Sequence, residues 1–156
     1  MPLLDQSAKF VTNRLPKVIN PTAHAIIDYA MAASFLAMGV FFWNRNKRAA
    51  ISSLICCGAE VVTALMTDYP GGVAREISFE THGSIDFGLS GMAASMPDML
   101  RFSDDRETTF FRLQGLAMAT VSGLTDFTGT GKGRQLEKLD EPRRKRQKVK
   151  QSSTAA

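Results

Sequence analysis

The sequence has few of the residues that most often carry chemistry in small proteins. Its 156 residues include two histidines, two cysteines and one tryptophan. Cys56 and Cys57 are adjacent, and neighbouring residues on a helix point about 100° apart, so these two are poorly placed to form a disulfide with each other. We interpret both as small packing residues, which excludes a disulfide scaffold and a cysteine-rich metal site.

Recognisable catalytic motifs are also absent. The chain has no Gly-x-Ser-x-Gly elbow, no phosphate-binding loop and no His-Glu-x-x-His pair. The Gly-Thr-Gly-Lys-Gly run at 129–133 lacks the Walker spacing. We therefore expect a protein that is not an enzyme. The N-terminus also lacks a short apolar segment before a small-residue cleavage site, so we expect no removable signal peptide.

Charge is unevenly distributed along the chain. The net charge is +4, yet Lys132–Lys150 holds nine Lys/Arg and three Asp/Glu, a net of +6, so all other residues together sum to −2. We expect residues 128–156 to form a disordered basic tail that attracts anionic lipid headgroups. No aromatic residue is interleaved with these charges to stack on bases, so we expect no specific nucleic-acid partner.

Long apolar runs dominate the remainder of the sequence. Each is close to the roughly 20 helical residues that cross a bilayer core of about 30 Å. They are too long, and too rich in Ala, Met and Leu without alternation, to be strands. The first shows almost none of the polar stripe of a soluble bundle. The fourth, with Arg112 and Gln114, is the least apolar. The runs are Thr22–Trp43, Ala49–Met66, Gly83–Leu100 and Thr108–Leu124.

These runs predict an all-α protein with a four-helix transmembrane bundle over residues 22–127, embedded in the lipid of a plasma or inner membrane. Residues 1–21 form a juxtamembrane segment. Apolar residues near one helical face of 3–19 predict either an amphipathic helix on the membrane surface or a helix packed against the bundle.

The sequence aligns with itself, without gaps, when it is shifted by 58 residues. His24 then falls on His82 and Asp28 on Asp86, and Thr67-Asp68-Tyr69 falls on Thr125-Asp126-Phe127. We interpret this as a tandem duplication of a helical hairpin, with repeat 1 at about 22–72 and repeat 2 at about 80–130. A two-helix unit returns the chain to its starting side, so the repeats should be related by a pseudo-twofold axis along the membrane normal.

This topology places a candidate polar site at one end of the bundle. A histidine and an aspartate four residues apart share a helix face, and carboxylates at this depth need a partner, so we expect each aspartate to face the interior beside a histidine or a threonine hydroxyl. Glu60 lies two turns before Asp68 and extends the site. The other members are His24, Asp28, Asp68, His82, Asp86 and Asp126.

Three interpretations of this site stay open. We favour a structural His/Asp network in a non-enzymatic membrane component, and accordingly predict no cofactor. One alternative is a proton or cation path. In that path Glu60 is a carboxylate deep in the bundle that the second repeat lacks, whereas otherwise it is only a hydrogen-bonded side chain between helices. The other is a divalent metal or haem held by His24 and His82. The spacing does not match the Glu-x-x-His pattern of di-iron bundles.

The loop charges predict the orientation of the bundle. The end that carries both termini has thirteen Lys/Arg, and the opposite turns have five. The positive-inside rule therefore puts the termini in the cytoplasm, although the Asn44–Arg48 turn opposes this. Small residues at spacing four, such as Gly91 and Ser95, are compatible with a homo-oligomer but do not require one.

Overall fold

The structure is a computed structural model, and it describes residues 16–127 of the chain. It contains the helices α1 (Pro21–Phe42), α2 (Lys47–Met66), α3 (Phe79–Met99) and α4 (Asp105–Leu124). Over the described range the only extended pairing consists of isolated bridges. The all-helical prediction is confirmed, and each predicted apolar run lies within a helix or ends one residue beyond it.

Local sequence explains where three of the helices begin. The side-chain oxygens of Asn20, Asn46 and Ser78 each accept a hydrogen bond from the backbone amide three residues later. These caps satisfy amides that have no partner inside the helix. The loop after α2 contains Pro70-Gly71-Gly72, a sequence that breaks helices.

The helices pack in a ring. α1 lies along α2 and α3 along α4, while α2 also contacts α3 and α1 contacts α4. α1 and α3 therefore lie diagonally across the bundle. The helices alternate in direction, so one end of the bundle holds the starts of α1 and α3 and the ends of α2 and α4. We call this the site end.

Two backbone contacts at the site end correspond to each other under the 58-residue shift. Ile19 bridges to Thr125, and Thr67 bridges to Ile77. The amide that follows each threonine donates to the carbonyl of the bridged isoleucine, at 3.1 and 2.8 Å respectively. The start of α1 is thereby joined to the end of α4, and the start of α3 to the end of α2.

Among the described residues, many polar side chains are buried and many large apolar side chains are exposed. Thirteen buried residues are polar or charged, against fourteen that are hydrophobic, and seventeen large hydrophobic residues are exposed. The apolar core centres on Phe35, Phe42 and Phe111. Two helices, α1 and α2, are long and apolar enough to cross a membrane, each with a mean hydropathy of 1.8.

Two predicted segments lie partly or wholly outside the described residues. Residues 16–20 are not helical and contain the bridge at Ile19, and Lys17 Nζ donates to the Gly123 carbonyl at 2.8 Å. The remainder of the predicted surface helix over 3–19 is not among the described residues. The same holds for the basic tail at 128–156.

Candidate functional site

Four of the predicted site residues meet in the interior at the site end. His24 and Asp28 lie one turn apart on α1, and His82 and Asp86 occupy the same positions on α3. All four are buried, with the histidines 0% and 1% exposed and the aspartates 4% each. We call these four residues the quartet. Because α1 and α3 are diagonal, the quartet lies on the axis of the bundle.

Two threonines fix the tautomer of the imidazoles. Thr67 Oγ1 donates to the Thr63 carbonyl at 2.7 Å and lies 2.7 Å from His82 Nδ1. A hydroxyl has a single proton, so this oxygen must accept from the Nδ1–H of the histidine. Thr125 does the same for His24, donating to the Val121 carbonyl and accepting from Nδ1 at 2.9 Å. When neutral, both rings therefore carry their lone pair on Nε2.

Both Nε2 atoms point at the centre of the quartet. They lie 3.2 Å apart. His24 Nε2 is 3.4 Å from Asp28 Oδ1 and 3.0 Å from Asp86 Oδ2. His82 Nε2 is 3.3 Å from Asp28 Oδ2 and 3.1 Å from Asp86 Oδ2. Two nitrogens and two carboxylates, all able to donate electron pairs, thus surround one point, with one ligand atom of each residue within 4.8 Å of the others.

Aromatic rings cover the quartet on the side of the loops. Phe79 and Phe127 meet the His24 ring edge-on, with centroids 5.4 and 5.1 Å away. The Tyr69 ring lies 5.3 Å from that of His82. These rings keep bulk water away from the imidazoles.

The tyrosine also makes the two halves of the site chemically different. Tyr69 Oη donates to Asp28 Oδ2 at 2.9 Å. Burial, reinforced by the Asp28 carboxylate, raises the pKa of the Tyr69 phenol, so it stays a neutral donor. The residue 58 positions later is Phe127, which has no hydroxyl. Among the residues that the structure describes, Asp86 Oδ1 has no hydrogen-bond partner.

The other predicted site residues lie outside the quartet. The Asp68 side chain is 63% exposed and lies 3.7 Å from Arg75. Asp126 is half-buried, and its amide donates to the Ile19 carbonyl. Glu60 is buried on α2 and shares a cavity with His24, Asp28 and Asp86.

The sequence-based expectation gave each aspartate a histidine or a threonine hydroxyl as its partner, and in the structure each aspartate lies beside both histidines. Thr67 and Thr125 contact the histidines instead, because they end α2 and α4 level with the first turns of α3 and α1. The 58-residue shift is the sequence feature that could have identified these threonines, because it aligns Thr67 with Thr125 just as it aligns His24 with His82.

Comparison of the chain with protein-family models, with curated proteins and with solved structures gives no significant match.

Proposed function

We propose that this protein is an integral membrane protein that binds one divalent transition-metal ion through His24, Asp28, His82 and Asp86. A single observation carries the proposal. The threonine hydrogen bonds direct the Nε2 lone pairs of both histidines to the point where the two carboxylates meet. Hydrogen bonds that orient a metal-ligating histidine through its other nitrogen are a general feature of metal sites.

The distances between the side-chain atoms of the quartet fit one small ion. Around tetrahedral zinc, with bonds of about 2.0–2.2 Å, neighbouring ligand atoms lie about 3.3–3.6 Å apart. Five of the distances within the quartet lie between 3.0 and 3.4 Å. A modest outward movement of the side chains therefore accommodates the ion.

Charge balance also favours a divalent ion. Two carboxylates and two neutral imidazoles carry a charge of −2, which one divalent ion neutralises in a site shielded from bulk water. Protonation of both rings would also offset this charge, but it sets two N–H groups 3.2 Å apart at their nitrogens.

The ligand set indicates which ions fit. Imidazole suits zinc, copper, iron and nickel, and carboxylates extend the range to manganese. A haem between His24 and His82 is disfavoured, because a porphyrin needs far more space than the 3.2 Å gap between Nε2 atoms and the adjacent cavity of about 10 Å³.

The distribution of polarity supports the membrane assignment. The core helix of a soluble protein is mostly buried. In contrast, the apolar 18-residue stretches of α1 and α2 are only 33% and 44% buried. Apolar side chains that face outward around a polar interior are what a bilayer requires. The helices α3 and α4 are as long as α1 and α2 but less apolar, and we extend the assignment to them because they complete the ring of helices around the site. We retain the cytoplasmic location of the termini that the loop charges predict.

The paired contacts support a duplicated hairpin. Thr67 bonds His82 and Thr125 bonds His24, so each half supplies the threonine that orients the histidine of the other half. A metal site shared equally between two copies of a hairpin is consistent with this exchange.

Titration with Co²⁺ of the full chain, purified in detergent, tests the proposal. We expect visible d–d absorption that saturates at one Co²⁺ per chain and is displaced by Zn²⁺. His24→Ala and His82→Ala should each abolish the absorption. Asp68→Asn, an exposed carboxylate at the same end, is the matched control and should bind as the unaltered protein does. If both histidine variants bound Co²⁺ as well as the unaltered protein does, the proposal would be overturned.

A further inference from the structure

Glu60 is a buried carboxylate with an unused oxygen beside the quartet. It lies on α2 and is 4% exposed, and within residues 16–127 its Oε1 has no hydrogen-bond partner. A carboxylate oxygen left unpaired in the interior is costly. The described backbone and side chains supply no such partner, which leaves room for a small bound molecule.

A small cavity lies between Glu60 and the quartet. Its volume is about 10 Å³, and its polar lining includes His24, Asp28, Glu60 and Asp86. A single water molecule needs about 10–15 Å³ and two to four polar partners. The volume of the cavity therefore corresponds to one water molecule, and its lining offers the polar partners that a water requires.

Two departures from the 58-residue symmetry affect residues that line this cavity. The residue aligned with Glu60 is Met118, which also lines the cavity. The residue aligned with Tyr69 is Phe127, so Asp86 Oδ1 lacks the phenol hydrogen bond that Asp28 receives. Both unpartnered oxygens, Glu60 Oε1 and Asp86 Oδ1, thus belong to residues that line the same cavity.

We infer that this cavity holds a water molecule that is a further ligand of the metal and donates a hydrogen bond to Glu60. The inference depends on the proposed metal site and specifies its type. A structural metal site has only protein ligands, whereas a site that retains water has an exchangeable position. Glu60 is then a positioning residue for the water, and the asymmetry of the two halves decides on which side of the metal the water lies.

Electron paramagnetic resonance of the Co²⁺-loaded protein in water enriched in oxygen-17 tests the inference. A water ligand broadens the Co²⁺ signal, and we expect this broadening in the unaltered protein. Glu60→Gln retains an oxygen that accepts a hydrogen bond and should retain the broadening. Glu60→Met repeats the residue of the other half and should lose it while Co²⁺ stays bound. Glu107→Gln, a buried carboxylate at the opposite end, should leave the signal unchanged.

The outcomes separate this inference from the metal proposal. Bound Co²⁺ without oxygen-17 broadening in the unaltered protein would leave the metal site standing and overturn the water ligand. Equal broadening in Glu60→Met would overturn the role of Glu60. Failure of the unaltered protein to bind Co²⁺ would overturn both.

Discussion

Each imidazole of the quartet has one nitrogen on a threonine and the other at the centre of the site. Thr67 and Thr125 contribute no metal ligand under the proposal, yet each uses its only proton on a backbone carbonyl and leaves its oxygen to accept from Nδ1. This arrangement makes the orientation of both histidine rings a property of the ends of α2 and α4.

Removing one of these hydroxyls should weaken metal binding without removing a ligand. Thr67→Val keeps the shape of the side chain but leaves the Nδ1–H of His82 without an acceptor. We expect Co²⁺ affinity to fall about 10- to 100-fold, the usual effect of losing a partner that orients a ligand. Equilibrium titration with a competing chelator measures the change.

Thr108→Val is the matched control for this substitution. Thr108 Oγ1 is buried near the start of α4, at the opposite end, and has no partner in the described part of the chain. We expect its replacement to leave Co²⁺ affinity unchanged. Unaltered affinity in Thr67→Val as well would contradict the orienting role.

At the scale of the helices, close approach of α3 and α4 depends on Gly115. A Cβ at this position would lie 2.6 Å from the Ser90 carbonyl and 2.9 Å from the Ala94 amide nitrogen. Both are backbone atoms and cannot turn away, so the helices must separate to admit a methyl group. Small residues at such contacts let helix backbones approach closely.

Gly115→Ala should therefore destabilise the protein, by about 1–3 kcal/mol for overpacking of a close contact. Gly91→Ala is the matched control, because a Cβ there meets nothing within 4 Å. Its stability should be unchanged or slightly higher, since alanine favours helix more than glycine. Thermal unfolding in detergent compares the two, and equal melting temperatures would contradict the close contact.

The sequence predicts the helices well because their signals are local. Apolar runs, the capping residue Ser78 and the Pro70-Gly71-Gly72 break all act within a few residues of their position. The gathering of His24 and His82 at one end follows from the 58-residue shift and the alternation of helix direction. The sequence cannot give the rotation of each helix about its axis, which places Asp68 at the surface and the threonines on the imidazoles.

At the scale of the whole molecule, the outward-facing apolar residues are the basis for predicting that the protein lies in a membrane. Ile26, Val40 and Val62 are 67%, 69% and 55% exposed, and contact with water over so many large apolar side chains is unfavourable. We expect the expressed chain to stay in the membrane pellet through a carbonate wash and to require detergent for release. Recovery in the wash without detergent would contradict the membrane assignment.

The metal content of protein purified from membranes tests the central claim most directly. Elemental mass spectrometry of the unaltered chain, without added metal, should find about one divalent transition-metal ion per chain. A variant with both His24→Ala and His82→Ala should contain almost none. A metal-free unaltered protein that also fails to bind added Zn²⁺ or Co²⁺, or equal metal in the double variant, would contradict the account.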